Sequence, residues 1–143
     1  MVVRCVPESE VAYHASEANS YSIGVEICHP DNTGKYTDAA YKVLIELLVD
    51  LCKRYKLEPT QAIIRHYDVT GKDCPRYYVK NPNEWKKLKQ DVVDAMSKDE
   101  ELEYAVKVLQ EKGIISSPEV WINGKYSMSN VRSLLIKAGS YVK

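Results

Sequence analysis

The sequence has no phenylalanine, no excess of either charge and no long apolar run. Lysine and arginine number 20, and aspartate and glutamate also number 20, so the formal net charge is zero. A nucleic-acid-binding protein generally needs a basic excess to displace counterions from phosphates, so this balance argues against that class. No apolar run approaches the roughly 20 residues that cross a bilayer, and the apolar start is too short for a signal peptide. We therefore expect a soluble protein, made in the cytoplasm without a secretion signal and without a membrane span.

Cysteine is sparse as well, and its four positions are far apart: Cys5, Cys28, Cys52 and Cys74. This spacing excludes a CxxC redox pair and a zinc ribbon. A free cysteine packs as a small hydrophobic residue, so we predict that the first three are buried thiols. Cys74 has different neighbours and is treated separately below.

Short β-branched runs and longer helical patterns alternate along the first two thirds of the sequence. Residues 1–6, 22–27 and 62–66 read as strands, and Gly24 within the second one indicates a close backbone approach. A helix is predicted after Thr37, which suits an N-cap, and another around Trp85. The order predicts an α/β domain over residues 1–96, with a mixed central β-sheet flanked by helices. Residues 97–143 lack strand signals, which predicts a small all-helical C-terminal module.

The residues that favour chemistry are concentrated between positions 65 and 75. His66 ends a predicted strand and Cys74 follows eight residues later, across a loop that contains Gly71. Imidazole and thiolate both suit Zn²⁺, so the two side chains could converge on one metal ion. Lys72 could present its ammonium to an oxyanion beside that metal. The spacing alone leaves a purely structural role for His66 and Cys74 open.

Three blocks of sequence carry a family resemblance. Residues 12–15 read Ala-Tyr-His-Ala, residues 19–27 read Asn-Ser-Tyr-Ser-Ile-Gly-Val-Glu-Ile, and residues 66–75 read His-Tyr-Asp-Val-Thr-Gly-Lys-Asp-Cys-Pro. In this order and at these separations they resemble the type 2 zinc N-acetylmuramoyl-L-alanine amidases. That superfamily includes phage endolysins, bacterial autolysins and peptidoglycan recognition proteins. The resemblance covers roughly residues 1–95.

The resemblance implies a role for each matching residue. His66 and Cys74 would be zinc ligands, Lys72 would stabilise the oxyanion and Glu26 would act as general acid and base. His14 would line the substrate groove. The implied reaction is hydrolysis, by a zinc-activated water, of the amide between N-acetylmuramic acid and L-alanine of the stem peptide. The protein would therefore act on the bacterial cell wall.

One element of the family pattern is missing from the sequence. The first zinc ligand of these amidases is a histidine on a strand upstream of the Tyr-His-Ala block, and neither His14 nor His29 occupies that position. We expect that the segment with this ligand is absent, through a truncated reading frame, an internal start or descent to a non-catalytic peptidoglycan-binding or partner subunit. An uncovered sheet edge would favour self-association or pairing with a longer chain.

The predicted C-terminal module provides fewer functional signals. Residues 113–121 resemble short helical appendages that follow the catalytic domains of phage-type proteins, which implies wall attachment or subunit association. A helical extension that only covers the core is the alternative. Trp121 and Tyr126 could stack on a sugar, although Trp121 is equally suited to anchor the packing.

Overall fold

The computed structural model describes residues 1–141, apart from the side chain of Asp99. The chain divides into two compact units, Met1–Ala95 and Met96–Lys143. A short 3-10 helix at Ser16–Ser20 precedes seven helices in the described residues. These helices are α1 (Asp38–Tyr55), α2 (Pro59–Ala62), α3 (His66–Thr70), α4 (Arg76–Lys80), α5 (Pro82–Glu111), α6 (Pro118–Ile122) and α7 (Met128–Ser140). The predicted domain limits, residues 1–96 and 97–143, stay a prediction because α5 is continuous across them.

The predicted α/β fold with a central sheet is wrong, since the structure has no strand in residues 1–141. Residues 1–6 and 22–27 are irregular, whereas residues 62–66 are divided between the end of α2, three residues outside any helix and the start of α3. Ile63 and Arg65 do have extended backbone angles. A strand also requires a hydrogen-bonded neighbour, however, and β-branched composition alone does not supply one.

Local capping explains why residues 58–70 form short helices instead of a strand. Pro59 occupies the first turn of α2, where its missing N–H is not needed, and the Glu58 carboxylate accepts a hydrogen bond from the Gln61 N–H at 2.9 Å. Asp68 accepts the Arg65 N–H at 2.8 Å at the start of α3. Such side-chain bonds compete with a strand for the same backbone groups.

The helix predicted after Thr37 is confirmed as α1. The Thr37 hydroxyl accepts the Ala40 N–H at 3.2 Å, and Lys56 ends the helix in the left-handed region at φ 54°. The buried face of α1 consists of Leu44, Leu48, Val49, Leu51 and Cys52. Leu88 and Val92 of α5 are the most deeply buried large side chains of the first unit, at 1% and 0% exposure. Two helices therefore supply most of its core.

The burial of each cysteine depends on whether the element predicted around it forms. Cys52 is buried in α1, as predicted. Cys5 and Cys28 are exposed, so the prediction of buried thiols is wrong for both. Cys5 lies in one predicted strand and Cys28 directly follows another; neither strand forms, and without a sheet there is no second layer to cover these cysteines.

The second unit has a small apolar core of its own. Val106, Ile114 and Ile115 are buried, and Leu109, Trp121 and Leu134 pack against them. The Trp121 ring also stacks on Tyr126, with ring centroids 5.1 Å apart. Within residues 1–141, no helix combines the length and the apolar character that crossing a bilayer requires.

Candidate active site

A cleft of about 1030 Å³ opens in the first unit and contains every site residue that the sequence predicted. Its lining includes His14, Glu26, His66, Lys72 and Cys74, together with apolar side chains of α1. These residues come from three separate segments of the chain. Helix α3, which begins at His66, packs beside the 3-10 helix that follows His14. The predicted residues therefore share one surface although no sheet supports them.

The loop around His14 is held by a side chain that sequence reasoning overlooked. Asn19 Oδ1 accepts the backbone N–H groups of His14 and Ala15, at 2.9 and 2.7 Å. The His14 Nε2 lies 3.3 Å from the Ser22 carbonyl oxygen, so it donates there when it carries the proton. A Cβ built on Gly24 would lie only 2.6 Å from the His14 Cγ. The predicted close approach at Gly24 is thus the approach of the His14 ring.

The loop from His66 to Cys74 is closed by backbone hydrogen bonds. The Tyr67 N–H donates to the Cys74 carbonyl at 2.9 Å. Gly71 ends α3 at φ 75°, a conformation that favours glycine, and its N–H donates to the Tyr67 carbonyl at 2.9 Å. His66 therefore begins a helix, and the prediction that it ends a strand is wrong. Both His66 and Cys74 are half-buried, whereas Lys72 is exposed.

Arg65 is the most extensively bonded side chain beside the cleft, and sequence reasoning assigned it no role. Its guanidinium holds the Asp68 carboxylate with a shortest distance of 2.6 Å and donates to the Tyr78 carbonyl at 3.1 Å. The hydrogen bonds from Arg65 lower the pKa of Asp68 below the ordinary carboxyl value. An arginine followed three residues later by an aspartate was the available sequence signal. The contact with Tyr78 has no counterpart in the local pattern.

Tyr36 is a second residue of the cleft that the sequence did not reveal. Its ring packs against Tyr78, with centroids 5.2 Å apart. Burial, together with the smaller effect of the charges of Cys74 and Glu26, raises the pKa of Tyr36 to about 12. Tyr36 therefore keeps its proton at neutral pH and offers a neutral hydroxyl near two of the predicted site residues.

The donor chemistry of His66 and Cys74 fits Zn²⁺, but the ligand set within the described residues is incomplete. Zinc prefers imidazole nitrogen and thiolate sulfur, and catalytic sites usually have three protein ligands. Among residues 1–141, excluding the Asp99 side chain, no cluster of three or more histidine, cysteine, aspartate or glutamate side chains is arranged to hold a metal. The described residues thus provide two suitable donors.

Comparison with known proteins identifies the family. The sequence pattern of N-acetylmuramoyl-L-alanine amidases matches residues 1–77. N-acetylmuramoyl-L-alanine amidase CwlL of Bacillus licheniformis is 41% identical over an alignment of 91 positions, which covers 55% of this chain and 25% of that protein. N-acetylmuramoyl-L-alanine amidase BlyA of Bacillus subtilis (strain 168) is 32% identical over an alignment of 112 positions, which covers 64% of this chain and 30% of that protein.

The extent of these matches determines what they show. The chain spans 25% to 30% of the length of these two relatives. No solved structure matches the chain. The family pattern nevertheless covers more than half of the chain, and residues 1–77 include all five predicted site residues. The chain belongs to the N-acetylmuramoyl-L-alanine amidase family.

Proposed function

We propose that the chain hydrolyses peptidoglycan of the bacterial cell wall, at the amide between N-acetylmuramic acid and L-alanine of the stem peptide. The observation that carries the proposal is that the five predicted site residues, all within the matched residues 1–77, line one cleft. Its volume of about 1030 Å³ reaches the upper end of the usual range for ligand pockets, so a muramyl peptide has room to enter.

Each of four side chains in the cleft has a role in the proposed reaction. His66 and Cys74 would be two ligands of a Zn²⁺ ion. When bound, that ion would supply a water of lowered pKa and would polarise the substrate carbonyl. Lys72 would stabilise the developing oxyanion with its positive charge. Glu26 is exposed in the cleft, where its carboxylate can accept a proton from the attacking water and return it to the leaving amine.

His14 would contact the substrate and take no part in the proton transfers. Its ring lies on Gly24 with one nitrogen directed to the Ser22 carbonyl. The ring is therefore fixed on one side, and its remaining surface belongs to the cleft lining. A rigid, partly apolar side chain of this kind suits a binding role, because little side-chain entropy is lost when substrate arrives.

The test is release of new L-alanine amino termini from purified peptidoglycan, together with the zinc content of the same preparation. Replacing Cys74 with serine should abolish release and lower the zinc content. Cys28→Ser is the matched control, since Cys28 is exposed and does not line the cleft. Lys72→Met should lower kcat by about 10²–10³ if its charge stabilises the oxyanion. Full activity of the Cys74→Ser protein would contradict the proposal.

A non-catalytic peptidoglycan-binding subunit is the second candidate. The incomplete set of metal donors among the described residues favours it. This candidate predicts that the chain sediments with cell walls but releases no amino termini, and that Cys74→Ser sediments equally well. If a partner or a second copy supplies the missing ligand, zinc content and activity should rise together when the protein concentration is raised.

A further inference from the structure

Arg65 is held on both sides of its guanidinium group, directly before His66. Its side chain is 15% exposed. Nη2 donates to Asp68 Oδ1 at 2.6 Å and Nε donates to Asp68 Oδ2 at 3.1 Å, so both carboxylate oxygens are used. The same carboxylate accepts the backbone N–H of Arg65 at 2.8 Å. The first turn of α3 is therefore tied to the residue that precedes it.

The remaining contacts of Arg65 extend beyond α3. Nη1 donates to the carbonyl of Tyr78, a buried residue of α4, at 3.1 Å. The guanidinium carbon lies 5.3 Å from the ring centroid of Tyr67 and 5.4 Å from that of Trp85. Such distances are typical of cation–π contacts. One side chain thus connects the start of α3, the helix that follows Cys74, and α5.

We infer that Arg65 is a positioning residue, which fixes the separation of His66 and Cys74 across the loop that joins them. The Tyr67 N–H bond to the Cys74 carbonyl closes this loop from inside, and Arg65 braces it from outside by joining α3 to α4. The consequence for catalysis rests on the proposed function, whereas the ordering of the loop does not.

Arginine is required because three demands coincide at this position. The Asp68 carboxylate requires a bidentate donor, and the Tyr78 carbonyl requires a third N–H in the same plane. The two aromatic rings require a planar cation. Lysine keeps the charge but has a compact ammonium, so it cannot satisfy all three. Arg65→Lys therefore removes the brace with little change in net charge or side-chain length.

The experiment measures backbone amide exchange and hydrolysis in Arg65→Lys. We expect exchange at the Tyr67 amide to accelerate by at least about tenfold, because a hydrogen bond to a charged group is lost. The Val92 amide, in the core of α5, should change less. kcat should fall while KM stays the same. Arg54→Lys is the matched control, because Arg54 also forms a paired contact, with Glu8 at 2.6 and 3.0 Å, away from this loop.

Each result of this experiment decides one question. Equal exchange at Tyr67 in Arg65→Lys and Arg54→Lys overturns the inference. If Arg65→Lys fails to fold, Asp68→Asn weakens the same contact without a change of size, and an unaltered Tyr67 rate there overturns the inference as well. If the unaltered protein releases no amino termini, the proposed function fails, and the exchange rates alone still decide the role of Arg65.

Discussion

Gly24→Ala is the substitution whose effect the structure specifies in most detail. The new Cβ would lie 2.6 Å from the Cγ and 2.9 Å from the Cβ of His14. Nonbonded carbons rest about 3.5–4.0 Å apart, so the ring must move by about 1 Å. That movement breaks the contact between Nε2 and the Ser22 carbonyl, which is already 3.3 Å long. Overpacking costs about 1–3 kcal/mol, and the half-buried ring can turn aside. We therefore expect a loss of about 1–2 kcal/mol in the free energy of unfolding.

Urea unfolding of a double-mutant cycle provides the assay. In a His14→Ala background the new Cβ no longer meets a ring, and only its contact with the Cβ of residue 14 remains. The loss in free energy of unfolding caused by Gly24→Ala should therefore be smaller by at least about 0.5 kcal/mol. Gly139→Ala is the control, because a Cβ there meets nothing within 4 Å and α7 should gain about 0.5–1 kcal/mol. If His14 binds substrate, Gly24→Ala should also raise KM more than it lowers kcat. The same cost with and without the His14 ring would refute this account.

Two further predictions concern stability. Val92→Ala removes two methyl groups from a side chain that is 0% exposed, and should lower the free energy of unfolding by about 2 kcal/mol without changing KM, as a urea titration and a kinetic assay would show. The Arg54 guanidinium, with the Tyr55 hydroxyl, lowers the pKa of Glu8 from 4.5 to about 2, so its contribution to stability is present above pH 4.5 and is lost as the pH falls to about 2. In Glu8→Gln the thermal unfolding midpoint should depend less on pH over that interval. If the midpoint changes with pH equally in both proteins, Glu8 is not the source of the pH dependence.

The helices could be predicted where their determinants are local. The 3.6-residue period and the Thr37 cap of α1 both lie within its own sequence, so nothing distant had to be known. The prediction of strands was wrong because a β-strand requires backbone hydrogen bonds to a second segment of the chain. Residues 22–27 alternate as a strand does, yet within residues 1–141 no backbone group of a neighbouring segment hydrogen-bonds to their backbone. The β-branched pattern alone therefore could not establish a sheet.

The predicted site residues were identified from short motifs, and these motifs do not require the sheet. The loop between His66 and Cys74 is closed by its own backbone, through the Tyr67 N–H bond to the Cys74 carbonyl. Arg65 and Tyr36 could not be assigned because their contacts with α4 join residues far apart in sequence. Local motifs thus indicate which groups are candidates for the proposed chemistry, and the tertiary contacts indicate what holds them.

Stability and the proposed chemistry depend on different parts of the first unit. Its core consists mainly of α1 and the first half of α5, whereas Glu26 and Lys72 are exposed on irregular segments. Substitutions at exposed loop positions usually change stability little, so variants of these two residues should separate rate from folding. Gly24 and Arg65 differ, because each fixes a loop of the cleft by a buried or half-buried contact. Substitution at either position should therefore reduce stability and catalysis together, although neither side chain carries out a chemical step.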